Sequence, residues 1–147
     1  MLRETGMFTA DEVDIALELI DAVLTKPGQK DYIIFVYESA GEVQGYYCTG
    51  PTPGTDGTYD LYWIAVHPAA QGKGVGGALD QHARELVRSM GGRLMIAETS
   101  SQPRYAGTRA FYLGRGYREL ARITDYYRPG DDLVVYGMYL SQRLEGG

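Results

Sequence analysis

The chain has 147 residues, 44% of them hydrophobic and 22% charged, with a net charge of −5 and a pI near 5.0. That length suits one domain, 1–147, able to bury about two-thirds of the surface its unfolded chain exposes. The acidic balance argues against sequence-independent nucleic-acid binding, which relies on clustered Lys and Arg, and would favour cationic or amine-bearing partners.

Cys48 is the only cysteine, which leaves no intrachain disulfide and no cysteine-based zinc site; with His67 and His82 as the only histidines, no metal is expected. The N-terminus carries Arg3, Glu4, Asp11 and Glu12 and lacks the apolar stretch of a signal peptide. No apolar run approaches a membrane span. A cytoplasmic protein with no membrane partner is the expectation.

Thr9, with Glu12 three residues on, reads as a capping box. Val13, Ala16, Leu17, Ile20 and Leu24 then share one helical face, and Lys26-Pro27-Gly28 stops the helix. Tyr32 to Glu38 and Val43 to Thr49 read as strands of a hairpin turning at Ala40-Gly41. Pro51 to Thr58 has turn chemistry. Tyr59 to Val66 is the next strand, and Gly74 to Met90 a helix that Gly91-Gly92 ends. Leu94 to Glu98 is a strand, Thr99 to Gly107 a polar connection, and Thr108 to Leu113 a short helix. Tyr117 to Thr124 and Leu133 to Leu140 are the last strands, joined by Arg128-Pro129-Gly130-Asp131-Asp132, with Tyr126 and Tyr127 placed in the turn before the final strand.

The segment between the third strand and its helix, Val66-His67-Pro68-Ala69-Ala70-Gln71-Gly72-Lys73-Gly74-Val75-Gly76-Gly77, is the most informative. Glycines at a helix N-terminus leave backbone N–H groups uncovered where the dipole is positive, which suits a phosphate or pyrophosphate. A P-loop is excluded because Gly74, not Ser or Thr, follows Lys73. Gly72, Gly74 and Gly77 formally fit the dinucleotide pattern. Five residues including Pro68 separate Val66 from Gly72, however, and a dinucleotide turn is tight.

The run Val66-x-Pro68-x-x-Gln71-Gly72-x-Gly74-x-Gly76 resembles the acyl-CoA pyrophosphate loop of the GNAT superfamily of N-acetyltransferases. Thr108-Arg109-Ala110-Phe111-Tyr112-Leu113-Gly114-Arg115-Gly116-Tyr117 is similar to the family's later motif, in the family's order and at its separation. The resemblance covers roughly 30–140. It implies an α/β fold: a mixed, mostly antiparallel sheet with helices on both faces and two splayed parallel central strands. It also implies acetyl-CoA as acyl donor, an amine acceptor that is a small molecule or a peptide, and the homodimers common in the family. Members usually open with a short strand and often carry two helices before the second strand; only about eight residues precede the first helix here.

On the same resemblance, Gln71, Gly72, Lys73, Gly74, Val75, Gly76 and Gly77 would bind the pyrophosphate. Backbone N–H groups around Ile64, Ala65 and Val66 would receive the thioester carbonyl. Tyr112 matches the tyrosine that acts as general acid toward the departing thiolate; from periodicity alone it reads as an aromatic packing beside Phe111. Asp60 falls where some members carry a glutamate base, and aspartate, being shorter, would work through a water. It reads equally as a turn-capping residue after Gly57. Glu98 ends the strand beyond the helix, where ligands collect in open α/β sheets, or simply meets solvent. His67 and His82 read as structural, Asp131 and Asp132 as turn residues. The 13 tyrosines offer cation–π walls or ordinary strand packing. The expected activity is direct acyl transfer to an amine without a covalent enzyme intermediate, since no thiol or hydroxyl occurs with a matched base; a CoA-binding regulatory module without turnover is the alternative.

Overall fold

The structure, a computed structural model, describes residues 31–141; the expected helix from Thr9 to Leu24 and its stop at Lys26-Pro27-Gly28 lie outside them. The described elements are β1 (Ile33–Ser39), β2 (Glu42–Pro51), β3 (Thr58–Val66), a 3₁₀ turn (Pro68–Ala70), α1 (Val75–Ser89), β4 (Leu94–Ser100), a second 3₁₀ turn (Pro103–Tyr105), α2 (Ala106–Gly114), β5 (Arg118–Arg128) and β6 (Asp131–Tyr139). Hydrogen bonding links the strands in the order β1-β2-β3-β4-β6-β5. β1 with β2, β4 with β6 and β5 with β6 are antiparallel, and β3 with β4 is parallel. This is the mixed sheet expected from the sequence. The residues fall into two compact units, one of 31–51 with Leu61–Glu85, the other of Thr52–Asp60 with 86–141.

In the first unit, Ala40 and Gly41 turn the β1–β2 hairpin with φ of 55° and 79°. Positive φ at both positions gives the turn whose twist matches its strands. β2 is buried from Gly45 to Gly50. Gly45 is required by packing: a Cβ there would lie 2.7 Å from the Ala65 carbonyl and 3.0 Å from Leu79. Val75, Leu79, Ala83 and Val87 form the buried stripe of α1, while Met90 is exposed, so the stripe leaves the helix through Val87. From residue 86 on the helix belongs to the second unit, where it stops in a paired arrangement: Gly92 N–H donates to the Val87 carbonyl at 2.8 Å and Gly91 N–H to that of Arg88 at 3.1 Å. Gly91, at φ 84°, takes the left-handed position that this stop demands.

In the second unit, β4 is buried through Met95, Ala97 and Thr99, and β6 through Val134 and Tyr136, one face of each strand. Two expectations are corrected here. α2 begins at Ala106, two residues before Thr108, and a 3₁₀ turn precedes it, so the polar connection is shorter than the composition suggested. The final hairpin is also longer. β5 runs to Arg128 and takes in Tyr126 and Tyr127, and β6 starts at Asp131. The turn is therefore Pro129-Gly130 alone, and Asp131 and Asp132 are strand residues. Asp131 is 2% exposed, held by the Ser100 hydroxyl and by Arg128 at 2.9 Å. The strand continues because Asp125, at φ 56°, absorbs an irregularity. Its Oδ1 accepts from Gly130 N–H at 2.8 Å, and its own N–H donates to Asp132 at 3.0 Å.

Candidate active site

The first unit holds the glycine segment. His67 leaves β3 with its N–H on the Gln44 carbonyl. Its Nδ1 accepts from Ala69 N–H at 3.1 Å, so His67 shapes the turn. Gly72 and Gly74 follow at φ 80° and 82°. A Cβ on either would meet nothing within 4 Å, so backbone faces open space where it turns into the helix. The helical bonds begin with Ala78 N–H donating to the Gly74 carbonyl at 3.0 Å. The N–H groups of Val75, Gly76 and Gly77 therefore belong to the first turn, whose donors have no intrahelical acceptor. No acidic residue lies in that turn, and Lys73 is exposed beside it. Main-chain donors, helix dipole and one ammonium fit a pyrophosphate. Gln71 is exposed, with Nε2 at 3.5 Å from the Val66 carbonyl. Ile64 and Ala65 are buried and Val66 half-buried, so these main-chain groups are held on a packed strand.

The same unit contains the one cysteine. Burial pushes the Cys48 thiol up to about 12, which favours the thiol over the thiolate, the nucleophilic form. His82 Nδ1 lies 2.6 Å from the buried Tyr47 hydroxyl, a packing role consistent with its expected one.

The second unit holds both carboxylates. β3 and β4 are in parallel register at Thr58–Leu94, Tyr59–Met95 and Asp60–Ile96. Asp60 thus shares a face with Ile96, and Glu98, two residues further along β4, projects from that face too. Burial raises the Asp60 pKa, and a 2.9 Å hydrogen bond from Thr52 Oγ1 opposes the rise. Glu98 is raised first by partial burial and then by the charge of Asp60. Two carboxylates, each shifted toward the range where it can take and release a proton, now occupy one side of the sheet. Thr52 carried no sequence signal, because its partnership with Asp60 exists only once the loop folds back on β3.

Tyr112 lies in α2 and is 5% exposed. Its ring packs edge-on against Tyr117 at 5.2 Å and Phe111 at 5.6 Å, and tilted against Tyr136 at 5.9 Å. It therefore belongs to an aromatic cluster as well as to the motif. Arg109, one turn earlier, donates from Nη1 to the carbonyls of Ser100 and Gln102 at 2.8 Å each, tying α2 to the end of β4. The sequence showed Arg109 within its motif but gave no sign of those acceptors.

The description "Acetyltransferase (GNAT) domain" matches residues 30–119. A solved GNAT-family protein from Desulfovibrio desulfuricans is 43% identical, with 95% of this chain and 88% of that one covered at a TM-score of 0.92. The chain belongs to the GNAT family of acetyltransferases. YncA from Salmonella typhimurium, solved with its cofactor acetyl-CoA, is 26% identical over 89% of this chain and 75% of its own, at a TM-score of 0.69. The ribosomal-protein-S18-alanine N-acetyltransferase from Escherichia coli shares the fold at 18% identity, 95% coverage of both chains and a TM-score of 0.68. No curated protein matches the sequence. None of the described helices is long and apolar enough to cross a membrane.

Proposed function

We propose that residues 1–147 act as one acyl-CoA-binding domain that transfers the acetyl group of acetyl-CoA to the nitrogen of an amine, by direct attack within a ternary complex. The observation that carries this reading is the glycine segment, where Gly72 and Gly74 expose backbone ahead of α1. Gln71, Gly72, Lys73, Gly74, Val75, Gly76 and Gly77 hold the pyrophosphate, and the N–H groups of Ile64, Ala65 and Val66 serve the thioester carbonyl. Such donors are fixed before the reaction and need little reorganisation as charge develops on the oxygen.

The amine nitrogen forms a bond to the thioester carbon, and the carbon–sulfur bond breaks. The proton lost by nitrogen goes to Asp60, through a water given the short side chain, with Glu98 sharing the charge on that face. The Tyr112 phenol gives its proton to the leaving thiolate. The products are an amide and free CoA. The test is thiol release from acetyl-CoA in the presence of amino acids, polyamines, aminoglycosides, lysine peptides and simple alkylamines. Release that depends on an amine, with a matching acetylated product by mass, supports the reading; acetyl-CoA binding without transfer to any amine rejects it in favour of a non-catalytic module.

A further inference from the structure

The sheet face that carries Asp60 also carries an apolar patch, centred where Leu120 of β5 lies over Gly137 of β6. The register places Asp60 opposite Ile96, Ile96 opposite Gly137, and Gly137 opposite Arg118. Paired residues project to one side, so this row crosses four strands on one face. Between Glu119 and Ala121 the β5–β6 register slips, which leaves Leu120 as an extra, unpaired residue. A Cβ on Gly137 would lie 2.3 Å from Leu120 Cδ1 and 3.1 Å from its Cγ. Leu120 therefore occupies the place that a side chain at 137 would take, and only glycine there lets it do so. Leu120, two residues after Arg118, shares its face by alternation, and the slip brings Ala121 to that face as well, opposite Val135.

Leu120 is 39% exposed; half-buried Ile96 lies opposite Gly137, and half-buried Val135 opposite Glu98. Two inter-strand spacings, about 10 Å, separate the Asp60 and Gly137 positions. The face is thus acidic toward β3 and apolar toward β6, over the span of a small amine. Arg118 closes the row with a positive charge, which disfavours a second ammonium at that end.

We propose that Leu120, seated over Gly137, selects the acceptor: a primary amine carried on a hydrocarbon or aromatic group, its nitrogen toward Asp60 and Glu98 and its apolar body against Ile96, Leu120 and Val135. This rests on the N-acetyltransferase reading above. Polycations with charge along their length fit poorly, because their second ammonium would be stripped of water against Leu120 without an anionic partner.

The experiment compares kcat/KM for 2-phenylethylamine and hexylamine with that for spermidine and kanamycin, in the unaltered protein and in Leu120→Asp. The unaltered chain should favour the apolar amines by at least roughly tenfold. Leu120→Asp should cut that preference by a similar factor through the acceptor KM, with the acetyl-CoA KM unchanged and Leu120→Met retaining the preference. Gly137→Ala, which displaces Leu120 without adding charge, should move the ratio in the same direction. If Gly137→Ala fails to fold, the substitutions at the half-exposed Leu120 carry the test. Equal or faster turnover of the polycations, or an unchanged ratio in Leu120→Asp, overturns the assignment while leaving the N-acetyltransferase reading intact. Failure to acetylate any amine removes both.

Discussion

Thr52 Oγ1 donates a 2.9 Å hydrogen bond to Asp60 Oδ2, so the loop before β3 holds the carboxylate that would receive the amine's proton. The bond favours the ionised form and opposes the rise that burial causes. In Thr52→Val that opposition disappears. The acidic limb of the kcat/KM profile should move to higher pH, with the plateau less affected. An acidic limb that stays in place would detach Asp60 from the proton transfer.

Asp60→Asn should lower turnover by about 10²- to 10⁴-fold, the usual contribution of general base catalysis. The charge that helps raise Glu98 is also lost, so the Glu98 pKa should fall, observable by NMR titration of the carboxyl carbon. Stability provides a separate reading. A carboxyl raised in the folded state contributes stability that is complete below its unfolded value and is lost as pH rises through the folded one. Asp60→Asn should therefore melt higher than the unaltered protein at pH 7, with the gap closing below about pH 4, the ordinary aspartate value. A gap that widens on acidification would contradict the raised pKa.

Tyr112→Phe keeps the ring that packs against Tyr117 and Tyr136 and removes only the hydroxyl. Turnover should drop by about 10²-fold or more with acetyl-CoA affinity nearly intact by calorimetry. Unchanged turnover would leave Tyr112 as a member of the aromatic cluster alone.

Gly74→Glu puts a carboxylate at the opening of α1, where Gly74 sits at φ 82° with open space beyond it. Charge repulsion from the phosphates and occupation of their place should abolish acetyl-CoA binding. Left-handed strain should add a stability cost of about 1–2 kcal/mol. A folded Gly74→Glu protein that binds acetyl-CoA normally would show the pyrophosphate to lie elsewhere.

Much of this arrangement was legible in the sequence where its causes are local. The glycine segment declared itself because positive φ and a helix start both leave compositional marks within a few residues. The stop at Gly91-Gly92 was legible for the same reason. The strand alternation that puts Asp60 on the Ile96 side needed only the pairing register to become a statement about Glu98. The failures have distant causes. Asp131 and Asp132 look like turn chemistry beside Pro129-Gly130, but Asp131 is buried by Ser100, whose hydroxyl arrives from β4. Tyr126 and Tyr127 seemed to lie in a turn because nothing nearby announces that Asp125 will take up the left-handed conformation. Leu120 was beyond reach because its seat depends on the missing side chain of Gly137, on a strand that reaches it only when the sheet forms.

That left-handed Asp125 has a consequence away from any chemistry. Among the described residues β5 lies at the end of the strand order, and each of its eleven residues is exposed, Ile123, Tyr126 and Tyr127 among them. A straight strand of this length would be a template on which stray chains could add, the first step toward aggregation. Asp125 interrupts the even spacing of amides and carbonyls that such a newcomer would need. Arg118, Arg122 and Arg128 distribute charge along the same strand. A β5 regularised at Asp125, for instance by a valine that straightens it, would trade this protection for a smoother hairpin and leave the molecule with an adhesive rim.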